Sequence, residues 1–144
     1  MHLHLENEAA TAALAEKLAS RARPGDVVLL SGPLGAGKSS FARAFIRALA
    51  GDPGLVVPSP TFTLVQSYEL SGVSVWHYDL WRLSGPESLE ELGWEEAQEG
   101  IVLVEWPERL GDLAPAHALR IALSHAPPGR EIILENEGKW FDAP

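Results

Sequence analysis

Apolar positions along this chain alternate between helical spacing and short unbroken runs. In "ENEAATAALAEKLASRA", Leu14 and Leu18 stand at helical spacing among alanines, Asn7 is a candidate N-cap, and the pattern stops before Pro24-Gly25. This predicts a first helix. "DVVLL" is a short apolar, β-branched run bounded by Gly25 and Gly32, the signature of a strand covered on both faces. From Lys38 onward Phe41, Phe45 and Leu49 recur every fourth residue, with Gly51 placed as a C-cap, so a second helix is expected.

The second half of the chain reads mostly as strands. "TFTLVQSYEL" and "VSVWHYDL" predict two strands joined at Ser71-Gly72 by a tight hairpin. In "SGPESLEEL", Ser84 is the candidate cap and Pro86 falls near a first helical turn, which predicts a short helix. The acidic run "EELGWEEAQEG" reads as a solvated helix face. "IVLVEW" is another buried-looking strand, while "HALRIAL" and "REIILE" flank "PPGR" as a closing antiparallel pair. The sum is an α/β fold, a mixed sheet flanked by helices, with residues 1–144 forming one domain.

Composition narrows the class of function. With 46% hydrophobic and 22% charged residues and no apolar run long enough to cross a bilayer, the chain is expected to be an ordinary globular protein without a membrane span. There is no cysteine, and "MHLHLENEAA" lacks the basic start and apolar core of a secretory signal, so a cytoplasmic location is expected. Acidic residues outnumber basic ones twenty to eleven, for a net charge of −9. Such a surface is poorly suited to gripping nucleic acid alone, because phosphate neutralisation supplies most non-specific affinity.

"SGPLGAGKSS", residues 31–40, lies between the buried strand and the second helix. Gly32, Gly35 to Lys38 and Ser39 satisfy G-x-x-x-x-G-K-[ST], the phosphate-binding P-loop. Each residue type has a physical task. Glycines let the backbone fold into a nest of inward N–H groups, and the helix that follows adds the positive end of its dipole. Lys38 is set to reach the β- and γ-phosphates and the Ser39 hydroxyl to ligate Mg²⁺.

Hydrolysis or transfer needs a carboxylate as well. Asp79 closes "VSVWHYD" and Glu105 closes "IVLVE", and either suits the acid of a nucleotide site at a strand end. "SPTFT" supplies Thr61 and Thr63, candidates for a loop that senses the γ-phosphate, although composition favours placing them at the start of a strand. His77 either orients Asp79 or fills a strand position. His2, His4, His117 and His125 have no metal-ligand spacing and are expected at the surface or in structural roles.

Four segments together, "SGPLGAGKSSFAR", "SPTFTLVQSYE", "WHYDLWRL" and "IVLVEWPERL", closely resemble the bacterial TsaE family, also called YjeE, in order and separation. The resemblance runs from the N-terminal helix to about Arg130. It implies a small P-loop ATPase of tRNA threonylcarbamoyladenosine biosynthesis, using ATP and Mg²⁺ and working with the partners TsaB and TsaD, which handle the tRNA. The family's glycine loop carries over to Gly35, Ala36, Gly37, Lys38, Ser39 and Ser40, with Ser39 where Thr is commoner. Its HxDLYR motif falls on His77, Asp79, Leu80 and Arg82, with Trp81 replacing Tyr.

By the same resemblance Asp79 is essential to hydrolysis, Glu105 approaches Mg²⁺ alongside Ser39, and Trp106 lies near the nucleotide. Arg130 matches a position near the nucleotide and Thr11 the base side. Which acid activates water and which holds metal stays open at this level. Core packing is expected for Trp76, whereas Trp81 and Trp106 beside the acids suggest a nucleotide-gated contact with a partner. Two other classes use such a loop, a small-molecule kinase and a nucleotide-gated binding module. The scattered 11 Lys and Arg form no kinase-like lid, and the Asn-Lys-x-Asp signature of many GTPases is absent, which favours ATP over GTP.

Overall fold

A computed structural model describes residues 1–141. Seven strands form one mixed sheet: β1 (His2–Leu5), β2 (Val27–Ser31), β3 (Val65–Leu70), β4 (Val73–Asp79), β5 (Ile101–Glu105), β6 (Leu119–His125) and β7 (Arg130–Glu135), in the order β1-β7-β6-β2-β5-β4-β3. β6, β2, β5 and β4 run parallel, and antiparallel strands close both sides. The most apolar strands, β2 and β5, are central and buried, as expected where both faces are covered.

The faces are covered differently. Helices α1 (Glu8–Ala19) and α2 (Lys38–Ala50) pack on one, joined by Trp140 of the short α4 (Gly138–Phe141). Two 3-10 segments, Pro86–Leu92 and Pro107–Leu113, and the one-turn α3 (Trp94–Ala97) cover the other. Asn7 caps α1 as predicted, its side chain accepting from the Ala10 amide at 2.9 Å. Gly51 ends α2 at φ 65°, with the Asp52 amide bonded back to the Arg47 carbonyl. The hairpin at Ser71-Gly72 has positive φ at both residues, the geometry that matches strand twist.

Three expectations need correction. Thr61 and Thr63 do not start a strand. They lie in a turn, and β3 begins only at Val65. Ser84 is not the cap of the following segment, which is a 3-10 helix entered from an extended Gly85. The acidic run is not one helix face, because Gly93 at φ 74° breaks it and turns Trp94 into the core, 6% exposed. The pattern also gave no sign of β1 or α4. β1 is a four-residue edge strand held by β7, and His2 and His4 both bond Glu131 across that edge.

Candidate functional site

Strand parity decides which side chains reach the glycine loop. Val75, His77 and Asp79 of β4 and Ile101, Leu103 and Glu105 of β5 alternate onto the face that carries α1 and α2. The two strands are parallel and in register, so Asp79 pairs directly with Glu105 and Glu105 with Leu30 of β2. The acids therefore sit side by side at the C-terminal strand ends, where the loop after β2 begins. Ligands of open α/β sheets bind at this edge.

The loop wraps the start of α2. Gly37 has φ 108°, and a Cβ there would lie 1.9 Å from Arg130 Nη1, so only glycine allows the guanidinium to lie across the loop. Gly32 at φ 138° is more tightly constrained, since a Cβ would meet the Leu123 backbone carbonyl oxygen at 2.2 Å. Ala36 is buried, and its amide bonds the Pro33 carbonyl at 3.1 Å. Lys38 is 5% exposed and donates to the Gly32 and Pro33 carbonyls at 2.5 and 3.0 Å. Burial pushes its ammonium below the ordinary lysine pKa, against the opposing pull of Glu105, Glu108 and Asp79.

Four polar contacts tie the floor together. Ser39 Oγ donates to Glu105 Oε1 at 2.9 Å, and His77 Nε2 lies 2.7 Å from Glu105 Oε2. Asp79 Oδ2 accepts from the Thr61 hydroxyl at 3.2 Å and Oδ1 from the Trp81 amide at 3.0 Å. Trp106 takes φ 59°, a left-handed conformation that costs a non-glycine residue about 1–3 kcal/mol. Its ring lies 4.1 Å from Lys38 Nζ and 4.4 Å from the Trp81 ring, centroid to centroid.

A cleft of about 350 Å³ joins these groups. Of the predicted residues, Gly35, Gly37, Lys38, Ser39, Ser40, Asp79, Glu105, Trp106 and Arg130 line it. Thr11 does not. It is buried on α1 in a neighbouring groove of about 770 Å³ between α1 and α2, and Glu8 and Ser40 line both spaces. Arg130 reaches the loop from β7, with Nη2 on Glu8 at 2.6 Å and Nη1 buried without a hydrogen-bond partner. A buried, unpartnered guanidinium N–H beside a glycine nest is what an anionic oxygen would satisfy.

Sequence reading left several cleft residues without a site role. Glu8 was given no role, and nothing in the sequence ties it to Arg130, 122 residues away along the chain. Arg82 also lines the cleft, with its guanidinium carbon 5.0 Å from the Phe62 ring centroid. Thr61 was legible as a candidate hydroxyl but assigned to the wrong element. Thr63 bonds the Gln66 amide instead and is not among the cleft residues.

A buried strand, a glycine loop with a helix behind it and two register-paired acids on the neighbouring strands define a P-loop NTPase-like α/β fold. The sequence model described as "Threonylcarbamoyl adenosine biosynthesis protein TsaE" matches residues 5–132, so the chain belongs to the TsaE family. Relatives named tRNA threonylcarbamoyladenosine biosynthesis protein TsaE include that of Rickettsia felis, 43% identical over 94% of this chain and 75% of its own. The Bacillus subtilis relative of the same name is 35% identical over 94% of this chain and 85% of its own. A crystal structure of Bacillus subtilis YdiB superposes with a TM-score of 0.75 at 28% identity, covering 97% of this chain and 88% of that one.

Proposed function

We propose that this protein is the Mg²⁺-dependent ATPase subunit of the machinery that makes threonylcarbamoyladenosine beside the tRNA anticodon, acting with TsaB and TsaD. The observation that carries this reading is the Asp79–Glu105 register pair, with Ser39 bonded to one of the two acids. A loop that merely turned a strand into a helix would not need two carboxylates buried to 5% and 2% exposure beside a buried lysine.

The chain's own groups divide the work. Loop amides, Lys38 and the unpartnered Nη1 of Arg130 hold the phosphates, and Thr11 and the α1–α2 groove lie toward the base. Ser39 and Glu105 offer only oxygen donors, which suits a hard cation. Among the described residues no cluster of three or more His, Cys, Asp or Glu stands ready to hold a metal, and Ser39 and Glu105 would hold the cation together with a bound nucleotide. Bound there, Mg²⁺ neutralises charge developing on the phosphates. Asp79 is held by Thr61 and the Trp81 amide in place to orient or deprotonate the attacking water.

The net charge of −9 fits a subunit that leaves tRNA to its partners. Trp81, 47% exposed and packed on Trp106, links the nucleotide site to the surface and suits a partner contact that changes with the nucleotide. Phosphate release from ATP and Mg²⁺ by the protein alone and with purified TsaB and TsaD tests the reading, with Lys38→Ala as control. Stimulation by the pair that the substitution abolishes is expected. Phosphoryl transfer to a hydroxyl compound, or no binding to the pair, would overturn it.

A further inference from the structure

His77 is the one buried ionisable side chain of the site that the proposed chemistry does not use. It is 2% exposed, and it stands on β4 between Val75 and Asp79, opposite Leu103 of β5. Glu105 lies diagonally across from it, two residues further along the neighbouring strand, a separation that long side chains bridge. Nε2 meets Glu105 Oε2 at 2.7 Å, while Nδ1 is buried with no hydrogen-bond partner. A carboxylate only accepts, so Nε2 carries the donated hydrogen.

An imidazole kept in this apolar strand interior with one nitrogen unsatisfied is not explained by packing, which an aliphatic side chain would serve better. Its one polar contact shows what it does. The final torsion of a glutamate is broad and roughly two-fold, so an untethered carboxylate exchanges its oxygens freely. Glu105 is tethered at both, with Oε2 held by His77 and Oε1 facing Ser39 at 2.9 Å.

We propose that His77 is a positioning residue that holds Glu105 Oε2, so that Oε1 and the Ser39 hydroxyl present a fixed pair of oxygens to the cation. This rests on the Mg²⁺ site proposed above. Outer partners of this kind typically change metal affinity about 10- to 100-fold when removed. His77 touches no phosphate in this arrangement, so nucleotide binding without the cation should be indifferent to it.

Calorimetric affinities for the ATP analogue AMPPNP, with Mg²⁺ and with EDTA, separate the two effects. In the native protein Mg²⁺ tightens binding. In His77→Leu that gain falls about tenfold, while affinity in EDTA stays within about twofold. His77→Gln, whose amide N–H stands near the position of Nε2, recovers most of the gain, whereas the shorter His77→Asn does not. The Gln–Asn contrast keeps the test valid if the leucine variant fails to fold. An Mg²⁺ gain unchanged in His77→Leu, or equal in the Gln and Asn variants, overturns the role of His77 and leaves the metal site standing. A native protein indifferent to Mg²⁺ removes the site itself and this inference with it.

Discussion

The two faces of the sheet are built from the same strands and do opposite things. Along β4 and just beyond it, His77 and Asp79 turn toward the glycine loop, while Tyr78 and Leu80 turn into the opposite cluster with Val102, Val104 and Leu110. On that side, among the described residues, the one buried hydroxyl, that of Tyr78, donates to the Leu92 carbonyl at 2.9 Å, and burial raises its pKa. On the loop side lysine, histidine and two carboxylates are buried together, and an arginine N–H is left unpartnered. One face leaves its buried hydroxyl paired, and the other carries the buried polar groups on which the proposed nucleotide site rests. At the C-terminal ends of β4 and β5, packing residues and site residues are thus separated by a single residue of strand parity.

Neighbouring substitutions test that separation most strongly. Leu80→Ala should cost about 2–5 kcal/mol of stability in denaturant unfolding, with the affinity of the folded fraction for AMPPNP little changed. Asp79→Asn should do the reverse, cutting ATP hydrolysis with partners present about 100-fold or more while the unfolding midpoint stays near native. Loss of nucleotide affinity in the first, or full hydrolysis in the second, would break the division between the faces.

A smaller effect is expected at the loop. Gly37→Ala strains a backbone at φ 108° and displaces Arg130, so AMPPNP affinity should fall about tenfold while the far face is untouched. A native affinity for this variant would remove Arg130 from the phosphate site.

The mildest effect sharpens the electrostatic side of the comparison. Burial lowers the pKa of Lys38 in the free protein, and a bound phosphate raises it again, so the complex holds more protons on the alkaline side. AMPPNP affinity should therefore fall as pH rises through the lowered pKa, and Lys38→Ala should flatten that dependence. For folding the sign is opposite. The unfolded lysine binds its proton more tightly, so this group's penalty on the free fold is present below the lowered value and fades as pH rises toward 10.5.

Much of the architecture was legible because its signals are local. The Asn7 cap, the β-branched run before Gly32, the four-residue period of Phe41 and Phe45 and the Ser71-Gly72 turn each announce an element within a few residues. The errors came where local signals compete or are weak. Thr61 and Thr63 have strand propensity, yet they sit in a turn that brings Thr61 against Asp79. Gly93 broke an acidic run whose composition suggested one helix. β1 is a strand because β7 offers an edge to pair with, and His2–Leu5 contains too few residues to declare a period.

By itself the sequence determined the glycine loop, the lysine and serine it carries, and the strand and helix on either side, since these depend on neighbouring residues and backbone conformation. It also named both acids. Only the tertiary structure decided that Asp79 and Glu105 stand in register, that Arg130 crosses Gly37 from β7, and that His77 faces Glu105 while Thr11 lies outside the cleft. Those relations depend on strand order and pairing between distant segments, which are set by burial of the whole sheet and leave no trace in local spacing.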